Sequence, residues 1–237
     1  IESVYARYMP APFLSILTND CIERGKDYNA GGARYNTSYL QGVGIGTITD
    51  SLSAIKYHVY ENGNFTMPQL LDALKADFEG SDDILSLVKN KSPRWGNDDD
   101  YADSLMQDVF EYYRGCITGR PNVRGGMYRV NMLPTTCHVY FGEVTGALPS
   151  GRKAGIPVSE GISPVGGADI YGPTAVIKSC AKMDHLQTGG TLLNQKFVPS
   201  ALQGEKGLDA MASLVRSYFN LEGPHIQFNV IDRETLL

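Results

Sequence analysis

LLNQKFVPSALQGEKGLDAMASLVRSYFNLEGPHIQFNVI, residues 192–231, changes period twice within forty positions. Leu192 to Phe197 reads as a short strand. Leu208, Met211, Leu214, Val215, Tyr218 and Phe219 then recur at three- and four-residue spacing, the stripe of an amphipathic helix that Gly223 ends. His225 to Ile231 returns to period two, with Ile226, Phe228 and Val230 on one face. A strand, a helix of more than ten residues and a second strand form the unit of a parallel sheet, and the stretch predicts an α/β fold.

Moving upstream, Gly172-Pro-Thr opens a predicted helix through Val176, Ile177 and Cys180, and Gly189-Gly190 leads into the strand. A helix is predicted to about Gly115 with Met106, Val109, Phe110 and Tyr113 inward. The acidic run Asn97-Asp-Asp-Asp-Tyr-Ala-Asp at its start lacks the alternation of a calcium loop and suits the helix N-terminal dipole. Shorter helices are predicted from Asp83 to Lys89 behind Ser81, and from Thr66, with Leu70, Leu71, Leu74 and Phe78 on one stripe as far as Gly80. Another, capped by Thr49 or Asp50, aligns Leu52, Ile55 and Val59 before Gly63. Tyr39 to Ile48 reads as a strand or apolar turn. Its Gly42-x-Gly44-x-Gly46 lacks the third glycine of a dinucleotide fingerprint and the Gly-Lys of a P-loop, so it is read as glycines for close packing. Phe13 to Leu17 is read as a short buried segment and Asp232 to Leu237 as a helix start. No repeat or linker divides the chain, so residues 1–237 are expected to form one α/β unit.

The totals exclude several classes of function. The 237 residues are 42% hydrophobic and 20% charged, a globular balance, and the net charge of −5 without a basic stripe argues against nucleic acid and acidic membranes as partners. No apolar run reaches the length of a transmembrane span. Cys21, Cys116, Cys137 and Cys180 lack the spacing of a zinc site or a disulfide framework, so no metal site is expected, and free thiols favour a reducing cytoplasm. The chain begins at Ile1 and stops within a predicted helix, which reads as a piece of a longer protein.

Candidate chemistry concentrates in residues 124–164, RGGMYRVNMLPTTCHVYFGEVTGALPSGRKAGIPVSEGISP. A Cys137–His138 nucleophile pair is disfavoured, because neighbours on a strand face opposite ways. No Gly-x-Ser-x-Gly elbow supports a serine hydrolase. Asp184 and His185, near Lys178 and Lys182, suit the C-terminal cap of a helix better than catalysis. Pro134, Thr135 and Thr136 interrupt an apolar run; the hydroxyl of Thr135 has either a backbone partner or a bound ligand.

Taken together, Gly-Arg-Pro (119–121), Arg-Gly-Gly-x-Tyr-Arg (124–129), Cys-His-Val-Tyr-Phe-Gly (137–142), Gly-Ala-x-Pro-x-Gly-Arg (146–152), Pro-Val-Ser-Glu-Gly-Ile-Ser-Pro (157–164) and Gly-Gly-Thr-Leu-Leu-Asn-Gln-Lys-Phe (189–197) resemble the C-terminal half of the pyruvate formate-lyase-like glycyl radical enzymes. Residues 35–52, 96–103 and 132–138 are most similar to the branch that dehydrates trans-4-hydroxy-L-proline. The resemblance implies part of a ten-stranded α/β barrel in a homodimeric enzyme of the anaerobic bacterial cytoplasm. A radical S-adenosylmethionine iron–sulfur activating enzyme would install the glycyl radical. A thiyl radical would then abstract hydrogen from the substrate, and a glutamate two residues beyond the cysteine would assist loss of water, giving 1-pyrroline-5-carboxylate. In that branch the first threonine of Leu-Pro-Thr-Thr contacts the substrate carboxylate, which falls on Thr135. Neither the family's Gly-Cys-x-Glu motif nor its Arg-Val-x-Gly-Tyr radical loop occurs here. The catalytic cysteine, glutamate and radical glycine are therefore expected outside the chain, and the piece alone is expected to be inactive. Alternatives are a glycerol or propanediol dehydratase, a choline C–N lyase, a formate acyltransferase-like enzyme, or a catalytically silent truncated binding partner.

Overall fold

The predicted strand–helix–strand unit is present in the computed structural model, which describes residues 1–236. Strand β3 (Leu193–Phe197) lies parallel to β4 (Ile226–Val230), with Leu193 opposite Ile226 and Phe197 opposite Val230. Helix α9 (Gly204–Asn220) makes the crossover. Helices α1 to α8 and strands β1 and β2 precede this unit in the chain. Helix α9 buries Gly207, Leu214 and Tyr218, whereas Leu208 and Phe219, expected inward, are exposed. The inward stripe is therefore narrower than the apolar one. Gly223 ends the helix against Tyr218, whose ring stands 2.3 Å from where a Cβ on Gly223 would be.

The described residues divide into two compact units, where one was expected. The first comprises Ile1–Leu40 and Tyr112–Asn131, the second Gln41–Glu111 and the residues from Met132 onward. In the first, α1 (Glu2–Tyr8) and α2 (Pro12–Leu17) precede β1 (Thr37–Gln41), which pairs with β2 (Met127–Asn131). Asn36 is central to this unit: its Nδ2 donates to the Arg124 carbonyl at 2.6 Å, and its own carbonyl accepts from the Met127 amide at 3.3 Å. Phe13, Leu14, Ile16 and Leu17, expected to be a buried segment, lie on α2 and are exposed among the described residues.

In the second unit Gly44, in the left-handed conformation, caps α3 (Ile45–Ile55), which continues as a π-helical turn over Lys56–Glu61. The helix starts four residues before the expected Thr49, and both Thr49 and Asp50 are buried inside it. Leu52 is exposed, and the buried side is lined by Ile45, Ser51, Ser53 and Ala54. Helix α4 (Met67–Lys75) has a full capping box, with Thr66 and Gln69 each satisfying the other's amide. Phe78 falls beyond that helix, on a positive-φ turn, yet is buried with Ala54, Phe65, Leu70, Ala73, Ile84 and Val88, the last two from α5 (Asp82–Asn90). Full burial of each large side chain in this cluster contributes about 1.5–3 kcal/mol. Helix α6 (Asp100–Ile117) buries Met106 and Phe110, and α8 (Pro173–Ala181) buries Val176, Ile177 and Cys180 as predicted. The acidic run engages lysines from the end of α8: Lys178 reaches Asp98 at 3.0 Å, and Lys182 reaches Asp98, Asp100 and Asp103 at 3.1, 2.7 and 2.6 Å. Helix α7 (Cys137–Glu143) belongs to the candidate site, and α10 (Arg233–Leu236) follows a cap in which Asp232 accepts from the Thr235 amide at 2.7 Å. The expected helix start includes Leu237, which lies outside the described residues. Among the described residues no helix is long and apolar enough to cross a membrane.

Trp95, fully buried, fastens two parts of the second unit. Its indole donates to the Ile162 carbonyl at 2.8 Å, and its amide donates to Asp50 Oδ1 at 2.9 Å. Asp50 Oδ2 is buried without a partner. Burial pushes the Asp50 carboxyl up to about 7, against the opposing pull of Arg94 and the Trp95 amide. The folded state therefore holds this proton in a window, from about pH 4 to 7, where the unfolded chain has released it. Stability should fall as pH rises through that window. Asp50→Asn keeps an acceptor for Trp95 and removes the titration. In urea unfolding of the intact protein at pH 5 and pH 8, the variant should lack a loss of about 2–3 kcal/mol that the parent shows. Equal losses in both would mean that Asp50 is ionised throughout.

Candidate functional site

The candidate site is assembled where the chain leaves its extended run. Met132 forms a parallel bridge with Thr191, its amide donating to Gly190 at 2.9 Å and its carbonyl accepting from Leu192 at 3.4 Å. The Leu133 carbonyl accepts from Gln41 Nε2. Gly161 fits beneath this segment because a Cβ there would stand 2.6 Å from the Met132 carbonyl. Pro134 then stops the pairing, since it has no amide to donate. Thr135, half-buried, turns the chain into α7. Its Oγ1 accepts from the Cys137 amide at 3.4 Å, so the hydroxyl has the backbone partner that was one of its two expected fates. An acceptor role towards Cys137 leaves the hydroxyl proton free to donate elsewhere.

Cys137 and His138 lie on a helix, not on the strand expected of them. They remain apart in function: Cys137 is exposed, while His138 Nδ1 bonds the Thr135 carbonyl at 2.6 Å. Exposure also removes Cys137 from any packing role. Asp184 caps a short 3₁₀ turn by accepting from the Leu186 amide at 3.1 Å, and His185 Nδ1 meets Thr191 Oγ1 at 2.7 Å. Burial holds His185 below the ordinary imidazole range, against the Cys180 carbonyl and Asp184. This pair therefore serves the approach to β3.

Arg152 holds the other end of α7. Its Nη2 donates to the carbonyls of Gly142, at 2.6 Å, and Ile156; its Nη1 donates to Gly146 at 2.8 Å and Thr145 at 3.3 Å. One guanidinium thus joins the end of the helix to both arms of the loop after it. Gly142 permits the approach, since a Cβ there would lie 2.3 Å from the Ile156 carbonyl. The chain then returns along α7, where the Val158 amide donates to His138 at 3.2 Å. At α3, the Ser159 amide donates to Thr47 Oγ1 at 2.7 Å and Ser159 Oγ accepts from the Thr47 amide at 2.9 Å. The Gly42–Gly46 motif has its explanation here: Gly44 turns the chain, its amide donating to the Ser159 carbonyl at 2.8 Å, and Gly46 leaves room for the Ser159 side chain. This pairing across 112 residues has no local sequence signal.

Residues 1–142 match the pyruvate formate lyase-like family, and residues 158–237 match the glycine radical family. The chain belongs to the pyruvate formate lyase-like family of glycyl radical enzymes. It is 65% identical over its whole length to trans-4-hydroxy-L-proline dehydratase of Clostridioides difficile, covering 30% of that protein. It is 36% identical to (2S)-3-sulfopropanediol dehydratase of Klebsiella oxytoca, covering 29%. The crystal structure of the C. difficile hydroxyproline dehydratase with trans-4-hydroxy-L-proline bound superposes with a TM-score of 0.95 over 99% of this chain and 30% of that one. The glycerol-bound B12-independent glycerol dehydratase of Clostridium butyricum, 44% identical, superposes at 0.92, again over 99% and 30%. The chain spans about 30% of the length of these relatives.

The chain does contain one bare Cys-x-Glu spacing, Cys21-Ile22-Glu23, but Asp20 stands where the family motif has glycine. Cys21 is buried and Glu23 exposed, so the two do not face one space.

The Arg152 fork gives a test of how the site is held. Arg152→Met in the parent enzyme should lower stability by about 2–4 kcal/mol, through loss of charge-assisted bonds to buried carbonyls. Arg152→Lys should recover part of this, because an ammonium cannot reproduce the planar fork. Thermal unfolding of both variants checks the order; full recovery by lysine would show that charge alone suffices.

Proposed function

We propose that this chain is a section of a glycyl radical dehydratase converting trans-4-hydroxy-L-proline to 1-pyrroline-5-carboxylate and water. The step in identity carries the reading: 65% to the hydroxyproline dehydratase, against 44% and 36% to the dehydratases of glycerol and sulfopropanediol. Backbone similarity does not separate these, since TM-scores of 0.95 and 0.92 describe one scaffold.

In this reading residues 1–237 are part of a ten-stranded barrel in a homodimeric cytoplasmic enzyme of an anaerobe. Thr135 donates its hydroxyl proton to the substrate carboxylate while accepting from the Cys137 amide, which fixes the rotamer in use. The buried Cys21 and exposed Glu23 do not fit the abstracting pair, so that role belongs to residues of the parent beyond this chain. A glycyl radical, installed by a radical S-adenosylmethionine activating enzyme, would start each turnover and be regenerated at its end, since the dehydration needs no net oxidant. The contribution of these residues is to bind and orient the substrate.

The test is turnover by the full-length parent, activated anaerobically, with its radical quantified by electron paramagnetic resonance. Water loss from trans-4-hydroxy-L-proline is expected; turnover of glycerol or choline in its place would move the enzyme to another branch. In the same assay Thr135→Val should raise KM with little change in radical yield. The expected cost is about 1.5–3 kcal/mol in kcat/KM, the loss of one hydrogen bond to a charged group. An unchanged KM would make Thr135 a structural cap of α7.

A further inference from the structure

The first unit holds a cleft of about 680 Å³ that Thr135 does not line. Arg24, Lys26 and Arg34 line it from one segment, Arg124 and Arg129 from another. Its floor is Gly31 and Gly126, where the two segments touch: a Cβ on Gly31 would stand 2.3 Å from the Arg124 carbonyl, and one on Gly126 would stand 1.6 Å from the Asn36 carbonyl. The volume falls in the roughly 300–1,000 Å³ range of small-molecule sites.

Three of these five cations are fixed by carboxylates. Arg34 donates to Asp20 Oδ1 through Nε at 3.0 Å and Nη2 at 2.7 Å, and Arg24 donates to Asp20 Oδ2 at 3.0 Å. Arg124 pairs with Glu2 at 3.5 Å and donates to Ser38 Oγ at 3.1 Å. Lys26 and the half-buried Arg129 have no side-chain partner among the described residues. Arg124 Nε, buried, also lacks an acceptor. Asp20 and Glu2 bind these cations and Glu23 acts on Arg34, so three carboxylates against five cations leave a net positive charge. The imbalance extends to the whole unit, which carries eight lysines and arginines against four acidic residues, while the rest of the chain carries thirteen against twenty-two. A chain acidic overall thus concentrates its positive charge around one concave surface.

We infer that this cleft binds the doubly charged oxyanion head of a metabolite-sized molecule, a phosphate monoester or a dicarboxylate, with Arg129 and Lys26 as its charge partners and Arg24, Arg34 and Arg124 as prefixed walls. Arg129 supplies a planar fork suited to two oxygens, and Lys26 an exposed point charge at the rim. The substrate of the proposed dehydration has a single carboxylate and a ring ammonium, so this is a different ligand class from the one assigned to Thr135.

Inorganic phosphate and succinate, titrated separately into the full-length parent by calorimetry at low ionic strength, test the inference. One equivalent of at least one of them should bind, with affinity falling as salt is raised. The tighter of the two identifies the head group. Arg129→Ala combined with Lys26→Ala should weaken binding about tenfold or more, while Arg7→Ala, outside the cleft, should not. Lys26 and Arg129 have no side-chain partner among the described residues, so the double variant should keep the parent's melting temperature and its turnover of hydroxyproline. Absence of binding by both anions, or equal affinity in parent and double variant, would overturn the inference. Neither outcome bears on the dehydratase reading, which the turnover assay tests separately.

Discussion

A single buried guanidinium sets the geometry around Thr135. Arg152 donates to four carbonyls and to no carboxylate among them, so its charge is stabilised by peptide dipoles instead of an ion pair. Burial draws its pKa below the usual guanidinium range, while Asp77 opposes. Its bonds make a closed loop of the chain between Gly142 and Ile156. That closure brings Val158 back to His138 and delivers Ser159 to Thr47. Thr135 therefore sits at the start of a helix whose other end is tied. Helix α7 has only seven residues, too few to be stable by its own hydrogen bonds, and depends on this anchoring.

Buried polar groups recur through the second unit in the same manner. Trp95 ties Asp50 to the Ile162 carbonyl, and Lys182 gathers three carboxylates at the end of α8. Each of these connects segments far apart in sequence, and each leaves little freedom because an unpaired buried group is costly. The first unit is built differently, with exposed apolar helices, a short sheet and charge gathered at a cleft.

Much of the fold was legible because its signals are local. Periodicity located α4, α5, α6, α8 and α9 together with β3 and β4. It misjudged which apolar residues turn inward. Leu52, Leu208 and Phe219 carry the helical spacing but are exposed, since spacing reports a face and not whether anything covers it. The early start of α3 was hidden because Gly44 acts through a left-handed backbone, while Thr49 and Asp50 look like caps and are buried for tertiary reasons. The candidate site was legible only as a composition of small and polar residues. Cys137 and His138 were placed on a strand because a five-residue apolar run does not distinguish strand from short helix.

By itself the sequence determined the α/β class, the β3–α9–β4 unit with most of the longer helices, and the family, all carried by local patterns or by ordered motifs. Tertiary structure alone decided the rest. It divided the chain into two units, gave Thr135 the Cys137 amide as a partner, joined Ser159 to Thr47 and collected five cations around one cleft. Those outcomes depend on which distant segments meet. A side chain's chemistry states what it can bond, and only the fold states what stands within bonding distance.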